Sequence, residues 1–168
     1  ISGTGDVHVQ PRSELDPPGA MSVAIFVRSD ENPKAYAGLP FHLGSGGGQV
    51  YGWELTLDST GRIYAALGFG ADMAAATFPP LETGRWTHLA WVYQLGASLE
   101  LYVDGRSITK VTSTKGSKPM PSAGVAPSPS SPLHVGVRSG DAWRGAIDEV
   151  QVFRRALTAA EVAQLAAR

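Results

Sequence analysis

The fold of this chain is decided by residues 85–105, which read RWTHLAWVYQLGASLELYVDG. From residue 99 to 103, apolar side chains alternate with Glu100 and Tyr102, and this period of two is typical of a half-buried strand. The preceding run, 85–93, is apolar on both faces, as expected of a central strand covered on each side. Leu95-Gly96 and Asp104-Gly105 supply the glycines that tight reversals need, so the sequence predicts antiparallel neighbours.

The same period of two recurs along the chain, in residues 20–28, 53–57, 133–137 and 147–153. Turn signals at Asp58–Gly61 and elsewhere separate these strands, and no helical pattern lies between them. The sequence therefore predicts an all-β fold, a two-sheet antiparallel β-sandwich or jelly roll. Trp86 and Trp91 are an odd number of positions apart in one strand, so their side chains point to opposite faces of the sheet. We refer to this odd or even spacing as parity. At most one of the two tryptophans lies in the core, and the other is covered outside or lines a groove.

Two segments depart from the strand pattern. Residues 112–132 are rich in Ser, Pro and Gly, and we interpret them as a long surface loop, either a disordered excursion or a functional one. At the other end, Thr158 and Glu161 form a capping box, and Val162 and Leu165 follow as an apolar i, i+3 pair. The sequence predicts one short C-terminal helix here. The glycine-rich run Gly44–Gly48 precedes a strand, so we interpret it as a loop and not as a phosphate cradle.

Length and composition limit the possible functions. The 168 residues allow one domain, 1–168, and the 14 Lys and Arg against 15 Asp and Glu lack the basic excess of nucleic-acid binders. No apolar run approaches the roughly 18 residues of a membrane span. Without Cys there is no disulfide, thiolate site or thiol nucleophile. The chain begins with Ile1, so we expect a piece of a longer parent chain that carries other domains.

Four motifs in the second half give the chain a family resemblance. They are Arg85–Tyr93, Leu99–Gly105, Leu133–Gly136 and Gly145–Leu157, followed by the Thr-x-x-Glu helix. In this order and spacing they resemble the laminin-G-like jelly roll of the concanavalin A-like lectin/glucanase group. Gly5–Val9 and Gly19–Arg28 are similar to its opening strands, with Phe26 where the family often has Trp. The resemblance implies a binding or accessory module, extracellular or at the cell surface.

Catalysis is not expected from the carboxylates. The glucanases of this group carry a Glu-x-Asp-x-x-Glu pattern, which keeps two carboxylates on one strand face, and it is absent here. Asp58 reads as a turn residue, and adjacent Asp148 and Glu149 are expected to point to opposite faces. The four histidines, His8, His42, His88 and His134, are scattered and none lies in a nucleophile elbow. We therefore expect no hydrolase.

Calcium is the metal that this composition allows, since its oxygen ligands need neither Cys nor His. Several families of this fold carry Ca²⁺, and the resemblance places Asp148 in the Ile-Asp-Glu-Val motif. Asp6 lies in the opening strand, which in such sandwiches often returns beside the closing strand. One hypothesis is that Asp148 and Asp6 hold one structural Ca²⁺. In the other, Asp148 caps a turn or pairs with an arginine.

Carbohydrate sites present aromatic faces together with polar rim groups. Candidate residues for such a site lie in loops or at strand positions that are expected to point away from the core. They are Tyr36, Tyr51, Tyr102, Trp143, Arg138, Asp141 and Asp72. Arg138–Trp143 is the densest cluster, although Trp143 could also cap the sandwich edge and Asp141 pair with Arg144. We expect a non-catalytic module that binds a glycan or, alternatively, a structural or protein-adhesion module without sugar binding.

Overall fold

In the part of the chain that the structure describes, thirteen strands and one α-helix make up about half of the chain. The computed structural model describes residues 6–16, 18–31, 38–57, 62–128, 130–138 and 141–167, without the side chains at 38, 41, 45, 46, 138 and 141. The strands are β1 Val7–Val9, β2 Met21–Ser29, β3 Gly38–Gly46, β4 Gln49–Leu57, β5 Ile63–Gly68, β6 Met73–Thr77, β7 Trp86–Gln94, β8 Ser98–Val103, β9 Arg106–Val111, β10 Leu133–Val135, β11 Val137–Arg138, β12 Asp141–Ala142 and β13 Gly145–Phe153. A 3₁₀ turn covers Ser13–Leu15 and α1 covers Ala159–Ala166.

The strands form two sheets, which confirms the predicted all-β sandwich. One sheet has the order β13-β2-β7-β8-β9, and the main path of the other is β1-β10-β3-β4-β5-β6. Neighbours within both paths are antiparallel, and the small β11–β12 hairpin joins β3 through β12. Strand β7 lies in the middle of its sheet, as its two apolar faces predict. The opening strand does not return beside the closing one, because β1 pairs with β10 and β13 pairs with β2.

The main core lies between the sheets and follows the predicted alternation. Met21, Val23, Ile25 and Val27 of β2 are all fully buried in it. Burying each such side chain contributes about 1.5–3 kcal/mol. Two tryptophans also meet in this core: the rings of Trp53 and Trp91 lie edge to face, with their centroids 5.9 Å apart. The Trp53 indole N–H donates to the Leu15 carbonyl oxygen at 2.8 Å, so this buried donor is satisfied.

A second, smaller core covers one end of the outer face of the five-stranded sheet. Val162 of the helix and Leu157, which precedes its N-cap, are buried with Ala90, Val92 and Tyr102. The predicted capping box is confirmed: the Thr158 hydroxyl accepts from the Glu161 amide, and the Glu161 carboxylate accepts from the Thr158 amide. No helix among the described residues is long and apolar enough to cross a membrane.

The predicted turns hold where the structure describes them. Asp104 and Gly105 have φ values of 47° and 76°, the two left-handed residues of a tight hairpin turn. The interpretation of Gly44–Gly48 as a loop is wrong in part, since β3 continues to Gly46 and only Gly47 and Gly48 form the turn. Asp58–Gly61 lies outside the described residues.

Segment 112–132 is not a disordered excursion. Met120 and Val125 are buried in the main core. The backbone around Ala126 is hydrogen-bonded on both sides, because the Gly52 amide donates to its carbonyl oxygen at 2.7 Å and its own amide donates to Gly68 at 2.8 Å. A low-apolar segment can still be ordered when its backbone groups find partners in the sheets. The segment therefore closes one end of the sandwich.

Candidate functional site

Two of the predicted sugar-binding aromatics are buried. Trp143 is 2% exposed, belongs to the main core and donates its indole N–H to the Arg28 carbonyl oxygen at 3.2 Å. Tyr102 is 4% exposed and packs beneath the helix. Neither ring presents a face to a sugar in this structure. Parity places Tyr102 on the outer face correctly, but it does not show that the helix covers that position.

The other members of the predicted set are described only in part. Arg138 and Asp141 pair through their backbones in the β11–β12 hairpin, but their side chains lie outside the description, as does Tyr36 entirely. Tyr51 is half-buried, and its hydroxyl donates to the Gln49 side chain at 2.8 Å. A sugar site at Arg138, Asp141 and Tyr51 therefore stays a prediction.

Asp72 lies in a groove of about 570 Å³ at the end of the sandwich, between the β5–β6 connection and segment 112–132. We call it the loop-end groove, lined by Asp16, Pro18, Phe69, Ala71, Asp72, Thr114, Lys118, Pro119, Pro121, Ala123, Gly124, Val125, Ala126 and Pro127. The Asp72 carboxylate accepts from the Thr114 hydroxyl at 2.6 Å and from the amides of Met73 and Gly116. These bonds, with Thr114 the largest contributor, lower the pKa of Asp72. Asp72 thus links the β5–β6 connection to segment 112–132 through hydrogen bonds.

The two predicted calcium ligands have separate surroundings. Asp6 Oδ2 lies 2.8 Å from His8 Nε2, at the edge of the eight-stranded sheet. Asp148 belongs to β13 of the other sheet. Its Oδ1 accepts a hydrogen bond from the Glu149 amide at 2.8 Å, which resembles the alternative in which Asp148 caps a turn. Ca²⁺ requires six to eight oxygen ligands. Asp6 and Asp148 thus have different immediate partners, and a calcium site shared by these two residues stays a prediction.

The uncovered end of the outer face of the five-stranded sheet carries an aromatic groove of about 370 Å³. We call it the Trp86 groove, lined by Phe26, Trp86, Asp148 and Glu149. The strand register builds it, because Arg28 of β2 lies opposite Trp86 of β7, and Phe26 lies between Asp148 of β13 and His88 of β7. Trp86 is 42% exposed whereas Trp91 is fully buried, so the parity prediction for this pair is confirmed.

A β-bulge brings both carboxylates to the Trp86 groove. The register between β13 and β2 shifts between Asp148 and Gln151, and Glu149 has a left-handed φ of 50°. In a regular strand Asp148 and Glu149 would point to opposite faces, as we expected, and that expectation is wrong here because the bulge interrupts the alternation. Bulges of this kind re-aim side chains, often beside functional sites. The alternation of residues along the sequence does not predict where such a bulge occurs.

The floor and the rim of the Trp86 groove differ in charge. The His88 ring contacts Phe26 edge to face at 4.9 Å and is 1% exposed. Burial lowers the pKa of His88, and the nearby Asp104 carboxylate opposes part of that shift. The Arg28 guanidinium lies over the Trp86 ring, 5.6 Å from its centre, and also donates to the Asp30 carboxylate at 2.9 Å. The rings of Phe26 and Trp86 can stack on an apolar face, and the exposed carboxylates of Asp148 and Glu149 can accept hydrogen bonds from hydroxyl groups.

Comparisons with solved structures agree with the architecture. Domain 4 of an extracellular arabinanase of Geobacillus stearothermophilus, solved with arabinotriose, matches with a TM-score of 0.69 at 20% identity, covering 99% of this chain and 74% of that one. A heptameric pentraxin of Limulus polyphemus matches with 0.63 at 15% identity, covering 99% and 79%. The binding domain of botulinum neurotoxin serotype G matches with 0.67 at 11% identity, covering 99% of this chain and 45% of that one.

Family assignment rests on the sequence. None of the curated proteins compared matches this chain. The model of the concanavalin A-like lectin/glucanases superfamily matches residues 2–163. This range spans both sheets and most of the helix, so it includes all four motifs that carry the resemblance. The chain belongs to the concanavalin A-like lectin/glucanase superfamily.

Proposed function

We propose that this chain is a non-catalytic carbohydrate-binding module, an accessory domain of a larger secreted or cell-surface protein, and that it binds glycans at the Trp86 groove. The observation that carries the proposal is the exposed Trp86 indole beside Phe26, with Asp148 and Glu149 within the same groove. An aromatic ring on a flat sheet face suits the apolar face of a pyranose or furanose. The carboxylates accept hydrogen bonds from the sugar hydroxyls.

The surroundings of the two carboxylates support binding without cleavage. A glycosidase acid is usually kept protonated by an apolar pocket, whereas Asp148 and Glu149 are both exposed. Each also has a contact with its own strand: Asp148 accepts from the Glu149 amide, and Glu149 accepts from the Gln151 side chain at 3.0 Å. Such contacts hold the carboxylates in place as acceptors for a ligand.

The relatives support the same function class. The arabinanase domain was solved with a bound arabinotriose, and the neurotoxin neighbour is a binding domain. Both share this fold at low identity, so they support a binding module without indicating which sugar it takes. The extracellular origin of the arabinanase supports a secreted or surface location.

The alternative function is a protein-adhesion module, and the loop-end groove favours it. This groove is larger than the Trp86 groove, and four prolines, Phe69 and Val125 are among its lining residues. Its two carboxylates, Asp16 and Asp72, already accept hydrogen bonds from the protein, so apolar contacts would dominate there. A protein ligand that binds there would be insensitive to changes at Trp86.

Affinity electrophoresis against soluble arabinans, xylans, glucans and galactans, together with a glycan array, tests the proposal. We expect retardation by at least one glycan and a loss of at least about tenfold in affinity, or about 1.4 kcal/mol, in Trp86→Ala. Ile108→Ala is the matched control, because Ile108 is a 39% exposed apolar residue of the same sheet outside the groove. Absence of binding, or equal binding by Trp86→Ala, would contradict the proposal.

Sugar release provides the check on catalysis. We expect no new reducing ends when the protein is incubated with any glycan that it binds. Release that disappears in both Asp148→Asn and Glu149→Gln would assign a glycosidase to the Trp86 groove and overturn the non-catalytic assignment.

A further inference from the structure

Three potential metal ligands converge at the edge of the eight-stranded sheet. Asp6 immediately precedes β1, His8 lies within β1, and His134 lies within β10. His8 and His134 are direct cross-strand partners, and their rings contact edge to face at 3.9 Å. Their ligand atoms and that of Asp6 all lie within 4.8 Å of one another. The contact spans residues 6 to 134, so sequence spacing alone does not reveal it.

The distances match those of a small coordination sphere. Asp6 Oδ2 lies 2.8 Å from His8 Nε2 and 3.4 Å from His134 Nδ1. Two ligand atoms that bind one tetrahedral Zn²⁺ at about 2.0–2.1 Å are separated by about 3.3 Å. Both distances to Asp6 lie near this value, and all three ligand atoms lie within 4.8 Å of one another. The hydrogen bond between Asp6 Oδ2 and His134 Nδ1 already joins two of the three groups across the two strands.

From this geometry we infer that Asp6, His8 and His134 bind one divalent first-row transition-metal ion of the Zn²⁺ type. Two imidazoles and one carboxylate suit Zn²⁺, Co²⁺ or Ni²⁺, whereas Ca²⁺ prefers oxygen ligands alone. Three protein ligands leave a position for water. The side chains of His8, Asp6 and His134 are 52%, 27% and 25% exposed, so an ion can reach them from solvent.

The ion would stabilise the attachment of strand β1 to its sheet. Strand β1 has three residues and is the edge strand of its sheet, attached through its pairing with β10. A metal bound to both strands stabilises the folded chain because the three ligands are not held together when it unfolds. The cluster lies on the other sheet from the Trp86 groove, so the metal site is independent of glycan binding.

The test uses the untagged full chain, stripped with a chelator, because a polyhistidine tag would bind the same ions. We expect isothermal titration with ZnCl₂ to give one ion per chain, and CoCl₂ to produce the visible absorption of a nitrogen- and oxygen-ligated ion. The melting temperature is expected to rise by about 5–10 °C at a free Zn²⁺ concentration of about 100 Kd. CaCl₂ is expected to leave it unchanged.

Single-ligand variants separate this site from adventitious binding. We expect His134→Gln and Asp6→Asn each to weaken Zn²⁺ binding by at least about tenfold. Asp148→Asn, which removes an exposed carboxylate on the other sheet, is the matched control and is expected to bind normally. The remaining histidines, His42 and His88, are buried and cannot take over the role. Failure to bind Zn²⁺, or undiminished binding by both single-ligand variants, would overturn the inference.

Discussion

The Tyr93 hydroxyl donates a hydrogen bond to the Pro121 carbonyl oxygen at 2.6 Å. The Ala123 carbonyl oxygen lies 2.7 Å from the same hydroxyl. Tyr93 is fully buried in the middle strand of the five-stranded sheet, and its ring contacts Phe69 at 5.4 Å. One core side chain thus holds a segment that has little apolar content of its own. This contact explains how residues 112–132 are ordered and how they form a wall of the loop-end groove.

Tyr93→Phe is expected to loosen that segment. The ring still fills the core, but the two carbonyl oxygens that share the single hydroxyl proton lose it, so we expect a loss of about 1–3 kcal/mol in the free energy of unfolding. Urea unfolding measures the loss, and limited proteolysis is expected to cleave faster within 112–132. Tyr51→Phe, which removes a bond to the exposed Gln49 side chain, is the control and should change stability by less than about 0.5 kcal/mol. Equal effects of the two substitutions would contradict this role of Tyr93.

The same phenol makes stability depend on alkaline pH. Burial raises the pKa of Tyr93 from 10.0 to about 12. The folded state therefore favours the neutral phenol, so this stabilisation is complete below pH 10 and is lost as the pH rises from 10 towards 12. Urea unfolding at a series of pH values should show a steeper decline for the wild type than for Tyr93→Phe. Parallel curves would show that the phenol does not titrate in this way.

Glu161 is expected to contribute at acid pH. Hydrogen bonds from the Arg155 guanidinium, and then from Thr158, lower the pKa of Glu161 from 4.5 to about 2. The folded state therefore favours the ionised form, so the stabilisation is present above pH 4.5 and is lost as the pH falls towards 2. Thermal unfolding across this range should show a smaller decline for Glu161→Gln than for the wild type. Because the pair is exposed, added salt should reduce the difference.

Gly145→Ala is expected to disturb the start of β13. Gly145 has a φ of +150°, and a Cβ there would lie 1.9 Å from the Arg28 carbonyl oxygen. We expect a loss of at least about 2 kcal/mol in the free energy of unfolding. Gly19→Ala is the control, since no atom lies within 4 Å of its Cβ position. A near-neutral Gly145→Ala would show that the strand can shift away from β2.

The exposed tryptophan is expected to report on ligand binding. Of the four tryptophans, Trp53, Trp91 and Trp143 are at most 2% exposed, whereas Trp86 is 42% exposed. Acrylamide should therefore quench mainly Trp86, and Trp86→Phe should remove most of the quenchable emission. A glycan bound in the Trp86 groove should protect this emission in the wild type. Protection that persists in Trp86→Phe would place the ligand elsewhere.

Local patterns predicted much of the fold. Alternation placed Met21, Val23, Ile25 and Val27 on one face because successive side chains in a strand point to opposite sides. The Asp104-Gly105 turn and the Thr158–Glu161 capping box were predictable because each is formed within a few neighbouring residues. Strand partners were less predictable, and the expected return of β1 beside β13 was wrong.

The candidate site was predicted only in part. Parity indicated that one of Trp86 and Trp91 would face outward, which the structure confirms. Loop position was a poor guide for Trp143, which belongs to the core, closer to the alternative in which it caps the sandwich edge. The groove itself depends on the register of β13, β2 and β7, and a single inserted residue in β13 brings Asp148 and Glu149 together.

By itself, the sequence determined the strands, the tight turns, the helix cap and the family, because these depend on neighbouring residues or on motifs in a fixed order. Only the tertiary structure decided what lies between distant residues. It joined His8 to His134, Tyr93 to Pro121 and Asp148 to Phe26. The physical reason is that packing and backbone hydrogen bonding across the two sheets select these partners, and local sequence periodicity carries no information about them.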